Sequence, residues 1–182
     1  MTTMNELNGT YVLDPSHSTL GFVARHAMIT KVRGSFTDFT GTGHVDGANP
    51  AASDVVVEMQ VGSVDTRNAD RDGHLKSGDF FDIEKYPTIT FKSTSIEAID
   101  ADSIEITGDL TIKDVTKQVT VPFEFTGAAT DPFGNERIGF EGRTEVNRRD
   151  FNLTWNAALD TGGVLVSEKI VLEFESSAIK QA

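Results

Sequence analysis

The sequence of 182 residues predicts an all-β fold, an antiparallel up-and-down barrel of about eight strands in one domain over residues 1–182. Three observations predict it. Apolar and polar residues alternate with a period of two in run after run. Clusters of turn-forming residues join the runs. No long helical stretch lies between them, so neighbouring strands must pair antiparallel.

The runs follow in order along the chain. Leu20, Phe22, Ala24 and His26 share one face of the first. Val55, Val57, Met59 and Val61 share a face of the next, with Val56, Glu58 and Gln60 opposite. Ile89 and Phe91 restart the pattern. Ile104, Ile106, Leu110 and Ile112 alternate with Glu105, Thr107, Asp109 and Thr111. Val119, Val121, Phe123 and Phe125 alternate with Thr120, Pro122, Glu124 and Thr126, and Pro122 inside such a run marks an edge or a bulge. Ile138, Phe140 and Val146 oppose Glu141, Arg143 and Glu145, and Ile170, Leu172 and Phe174 oppose Lys169, Glu173 and Glu175. Asp14-Pro15-Ser16, Asp46 to Pro50, Asp131 to Asn135 and Gly162-Gly163 supply turns. A sandwich would fill its interior with side chains, whereas a barrel of about eight strands holds one small ligand. The length of the strands and their apolar inner face favour the barrel.

One segment breaks the strand pattern. "NADRDGHLKSGD", residues 68–79, is close to a calcium loop, with Asn68, Asp70, Asp72, Gly73, Leu75 and Asp79 at the appropriate spacings. The preceding residues read as a strand where a calcium loop needs a helix, and Asp79 is one methylene short of the usual glutamate. The segment therefore reads as part of a short helical lid around residues 67–84. Asp65, Thr66 and Asn68 are candidate caps, Asp72 and Lys76 a candidate ion pair, and Gly78 a stop signal. Leu75 is its one strong apolar anchor, followed by Phe80 and Phe81.

A formal net charge of -12 argues against a nucleic-acid surface and against unaided docking on anionic lipid. Without cysteine there is no disulfide or thiolate metal site. The four histidines, His17, His26, His44 and His74, are scattered, so neither a metal nor a cofactor is expected. No G-x-S-x-G elbow is present, so no serine nucleophile is expected. No run of apolar residues is long enough to span a membrane, and the opening MTTMNELNGTYVLD has neither the basic nor the apolar region of a leader. The expected location is cytoplasmic.

Several residues admit two readings. His26 is either a hydrogen-bonded core histidine or a polar contact to a ligand head group. His17 follows a turn and reads as a loop tie. Arg148, Arg149 and Asp150 form a charged corner, either a structural ion pair or part of a site. Arg71 on the lid either meets an anionic head group or faces solvent, and Trp155 either lines the interior or packs.

Four segments carry a resemblance. "RDGHLKSGDFFDIEKYPTITFKS" (71–93), "YVLDPSHSTLGFVARHAMITKVRGSF" (11–36), "GDLTIKDVTKQVTVPFEF" (108–125) and "GFEGRTEVNRRDFNLTW" (139–155) together resemble the YceI-like family of bacterial lipid-binding proteins. The likeness runs from about Tyr11 to Lys180, with Asn152 standing where a glycine is common. It implies a lipocalin-like, extended eight-stranded barrel with a helical segment near one opening. It also implies an isoprenoid or other lipid-like ligand inside, and a homodimer. Many members are exported, and the opening residues here depart from that pattern.

The expected function is therefore to bind and carry an isoprenoid, quinone or other lipid-like amphiphile, without catalysis. The residues expected to meet it are Phe22, Phe36, Val57, Met59, Val61, Ile89 and Phe91 from the first half of the chain. Ile106, Phe123, Phe125, Phe140, Ile170 and Leu172 follow from the second. Leu75, Phe80 and Phe81 come from the lid, and His26, Arg71, Arg148 and Trp155 are the polar or aromatic contacts. The alternatives are an enzyme acting on a bound lipid through His26, and an acidic interaction protein with a solid core.

Overall fold

The structure, a computed structural model, describes residues 1–182 and contains eleven β-strands and one α-helix. The strands are β1 (Asn8–Leu13), β2 (Thr19–His26), β3 (Thr30–Phe36), β4 (Phe39–Asp46), β5 (Asp54–Gln60), β6 (Val64–Asp65), β7 (Thr88–Ala98), β8 (Ser103–Ile112), β9 (Val115–Thr130), β10 (Glu136–Asn147) and β11 (Lys169–Lys180). The helix α1 is Ala69–Lys76.

Three of the long staves are interrupted. β1 and β2 form one, broken at Asp14–Ser18; β3 and β4 form another, and β5 and β6 a third, broken by a turn of 3-10 helix at Val61–Ser63. β1 pairs with β4 and β2 with β3, so each stave lies antiparallel to the next in sequence. β11 pairs with β10 on one edge and with both β1 and β2 on the other, which closes the ring. The result is the expected closed, eight-stranded antiparallel up-and-down barrel.

The local chemistry explains the irregularities. Asp14 accepts from the Ser16 amide and hydroxyl and from the His17 ring, which turns the chain out of the first stave. Ser18 restores the ladder by donating its hydroxyl to the Ser177 carbonyl and accepting from the Ser177 amide. Pro122 lies neither on an edge strand nor at a bulge. β9 pairs through it with β8, and the register with β10 ends next door, at Phe123 opposite Gly142. Beyond that point the backbone ladder gives way to a side-chain bridge, the Thr144 hydroxyl donating to the Thr120 carbonyl at 3.1 Å, beside a polar crevice lined by Thr120 and Glu145. The bulge of this ladder falls instead at Gly139/Phe140.

The two ends are sealed differently. At one end the N-terminal segment folds inward. The Thr3 amide donates to the Glu6 carboxylate in a capping box, and Met4 and Leu7 are buried with Tyr11, Phe125 and Ile138. At the other end lie α1 and the long connection from Arg148 to Glu168.

An ion triad fastens the first end. Arg137 donates to Asp14 and to Asp131, both at 2.8 Å. The Arg137 guanidinium holds both carboxyls well below the usual carboxylate range. Because their folded pKa values are depressed, the stability they contribute is present above the unfolded value of about 4 and is lost as pH falls below it. Asp14→Asn is therefore expected to lower the melting temperature at pH 7. The gap to the parent protein should narrow steadily in scans below about pH 4; a gap independent of pH would refute the triad's role.

Candidate functional site

The barrel encloses a cavity of about 330 Å³, lined by 47 residues of which 35 are hydrophobic. It runs from Leu7, Tyr11 and Ile138 at the sealed end to Leu75, Phe80, Phe81, Phe151 and Leu153 under the lid.

Its hollowness follows from glycines on the inner wall. Gly142 sits on β10 between Phe123 of β9 and Phe174 of β11. Those two rings stack at 6.0 Å across it, and a methyl group there would overlap the Phe123 ring. Gly34 receives Phe22 in the same way, and Gly108 receives Phe91. Each ring lies back against the wall, where the neighbouring strand has no side chain. The phenylalanines therefore face the lumen without filling it.

The lid is built from its cap. The Asn68 side chain accepts from the Arg71 amide and starts α1. Two of the calcium-loop carboxylates are engaged elsewhere. Asp72 accepts from the amide and hydroxyl of Thr66, which is buried, rather than pairing with Lys76; Asp79 meets the His74 ring at 2.9 Å. The helix ends at Ser77, whose hydroxyl donates to the His74 carbonyl, and not through Gly78. His74 also packs edge-on against Trp155 at 4.6 Å and Phe80 at 5.0 Å, joining the lid to the long connection.

Arg148 holds that connection in place. It is 5% exposed, lines the cavity, and has no carboxylate partner. Its guanidinium donates to the backbone carbonyls of Leu153 (2.6 Å), Ser167 (2.8 Å), Trp155 (2.9 Å) and Val166 (3.3 Å). Burial pulls its pKa down from the ordinary arginine value, with Glu168 opposing. The charged corner is thus a carbonyl cage around one arginine; only Arg149 makes an ion pair, with Glu168 at 3.4 Å.

Most of the residues singled out in the sequence come together here. Phe22, Phe36, Val57, Met59, Ile89, Phe91 and Ile106 line the cavity. So do Phe123, Phe140, Ile170, Leu172, Leu75, Phe80, Phe81 and Arg148. Five do not. His26 is exposed, because the barrel face of β2 ends at Ala24 and the strand runs on past the rim. Val61 packs in the core from the 3-10 turn that breaks its stave. Arg71 folds back to donate to the hydroxyl and carbonyl of Thr66. Phe125 has the right parity, but its ring packs against that of Phe140 at 5.3 Å and among Met4, Leu7 and Tyr11, which line the cavity in its place. Trp155 packs on His74 and Phe80 instead of facing the lumen.

Sequence reasoning misses the wall glycines and the N-terminal plug. The inner parity of Gly142, between Phe140 and Val146, and the T-x-x-E capping pattern of Thr3 to Glu6 are the available signals.

Comparison with known proteins agrees with this architecture. The model of the family described as YceI-like domain matches residues 11–178. Protein YceI of Escherichia coli O157:H7 is 44% identical over 137 residues, which is 75% of this chain and 71% of that protein. The crystal structure of BcnA from Burkholderia cenocepacia superposes with a TM-score of 0.80 at 25% identity, over 91% of this chain and 98% of that one. A polyisoprenoid-binding domain from Saccharophagus degradans, implicated in plant cell wall breakdown, shares the fold with a TM-score of 0.71 at 15% identity, over 94% and 98%.

Proposed function

The chain belongs to the YceI-like family, and from that premise we propose that it binds and carries a long apolar amphiphile, an isoprenoid, quinone or other lipid-like molecule, inside the barrel. The observation that carries the reading is the barrel cavity with 35 hydrophobic residues among its 47. The polyisoprenoid-binding description of the Saccharophagus neighbour supports the same class of ligand. At about 330 Å³ the space lies at the lower end of the roughly 300–1,000 Å³ range of ligand pockets, which suits one threaded chain. Burial contributes about 0.8 kcal/mol per CH₂, or roughly 4 kcal/mol per five-carbon unit, before the cost of immobilising the ligand. A few units therefore suffice for micromolar affinity, with little regard to chemical detail. In this reading the protein is a carrier, and His26, outside the cavity, moves no proton on the ligand.

The test is mass spectrometry of a solvent extract of the purified protein. An apolar molecule is expected in the parent extract and not in that of Met59→Arg, whose side chain would occupy the lumen. Met59→Arg should stay folded, because its head can reach the opening along the hollow interior. An empty parent extract together with an unfolded Met59→Arg would mean a solid core and end the carrier reading. A homodimer belongs to the same proposal, and native mass spectra should show twice the chain mass of 19.7 kDa; the chain mass alone would remove it.

A further inference from the structure

The charge of this chain is not evenly spread. Of its 16 Lys and Arg residues, only Arg137 and Lys180 near the sealed end, and Lys92 along β7, lie outside the half of the barrel that carries the lid. The sealed-end connections at residues 47–53, 99–102 and 131–135 contain no basic residue and include Asp100, Asp102 and Asp131. A net charge of -12 thus conceals a dipole whose less negative end is the mouth.

The β2–β3 hairpin is the most basic part of that end. From Thr19 to Phe36 it has Arg25, Lys31 and Arg33 and no Asp or Glu. Arg33 pairs with Glu173, while Lys31 makes no ion pair. Its tip is apolar: Met28 is 62% exposed and Ile29 77%. Ala27 and Met28 form the turn with φ of 51° and 62°, a left-handed geometry for which Asn-Gly is preferred. Two apolar residues are therefore held outward by a turn whose own geometry favours other residue types. The tip also continues the wall of the cavity. Ala24 and Val166 line the lumen, His26 bridges to Val166, and the Ala27 amide donates to the Leu165 carbonyl.

We infer that this hairpin docks the mouth of the barrel on an anionic phospholipid bilayer, with Met28 and Ile29 entering the interface and Arg25 and Lys31 among the head groups. The inference rests on the carrier reading for its purpose: a ligand insoluble in water must be taken from a lipid phase or returned to one. It does not rest on that reading for its test. Arg25 and Lys31, the two hairpin cations without a carboxylate partner, set the contact, and the sealed end, repelled by the same surface, points away.

Co-sedimentation with vesicles of phosphatidylcholine containing about one-third phosphatidylglycerol is the experiment. Binding is expected to weaken as salt rises and to be lost on phosphatidylcholine alone. Lys31→Glu should weaken it about fivefold or more, and the double change Met28→Asp, Ile29→Asp at least tenfold. Phe133→Asp, an exposed apolar residue of the opposite end, should leave it unchanged. All variants should keep the parent's affinity for an apolar fluorophore in solution, which reads the cavity separately from the bilayer. Absence of vesicle binding by the parent, equal binding by the hairpin variants, or an equal loss in Phe133→Asp would overturn the inference.

Discussion

Replacing Arg148 with methionine is expected to lower stability by about 3 kcal/mol or more and the melting temperature by roughly 6–12 °C. Methionine keeps the apolar stem of the side chain and removes the guanidinium with its donors and charge. The carbonyls of Leu153, Trp155 and Ser167 would then lose the side-chain donor they share; that of Val166 keeps the Asn156 amide. Leaving a buried acceptor without its partner costs about 1 kcal/mol at the low end of the measured range. Arg148→Lys should recover little, since one ammonium cannot span carbonyls set around a planar fork. Amide exchange should quicken across residues 153–167 while the strands far from the mouth stay protected. A melting temperature within about 2 °C of the parent would show that the cage is ornamental.

The second large effect is expected at Gly142. In Gly142→Val the new side chain occupies the place of the Phe123 ring, and that ring must swing into the lumen. Overpacking of this kind costs about 1–3 kcal/mol, but the larger consequence is for the cavity. Affinity for an apolar fluorophore should fall more than about tenfold, because the ring then stands where the ligand chain would lie. Gly73→Ala on the lid is the comparison. An added methyl there meets nothing within 4 Å, and alanine favours the helix by about 0.5–1 kcal/mol. Unchanged fluorophore affinity in Gly142→Val would mean that the lumen does not depend on rings resting over glycine.

The barrel is legible in the sequence because a period of two runs through most staves, shifting only at the bulges of β7 and β9, and the inner parity carries nearly all the wall. The errors fall where a stave leaves the wall. His26 obeys the alternation of Leu20, Phe22 and Ala24, yet the strand has by then passed the rim. Phe125 obeys that of Val121 and Phe123, yet at its level Phe140 and the N-terminal residues Met4 and Leu7 line the lumen and pack over it. Parity tells which side a residue faces and is silent on height along the barrel. The structural role of Arg148, whose place in the lining the sequence does indicate, escapes it for another reason. Adjacent Arg149 and Asp150 suggest an ion pair, whereas its partners are backbone carbonyls 5 to 19 residues onward, which no spacing of side-chain types announces. The wall glycines lie between these cases: their parity is visible, but which ring lies over each depends on cross-strand register.

The closing seam has a consequence for how the chain is made. Tyr11 lies opposite Lys180 and Leu13 opposite Ala178, so the first stave finds its second neighbour only in the last. Every other pairing joins staves consecutive in sequence and can form as they emerge. Until the final residues of β11 leave the ribosome, the nascent sheet has two bare edges and an apolar face open to water. The rate at which the two ends of the chain meet, a search over nearly its whole length, then governs how long that exposed sheet persists.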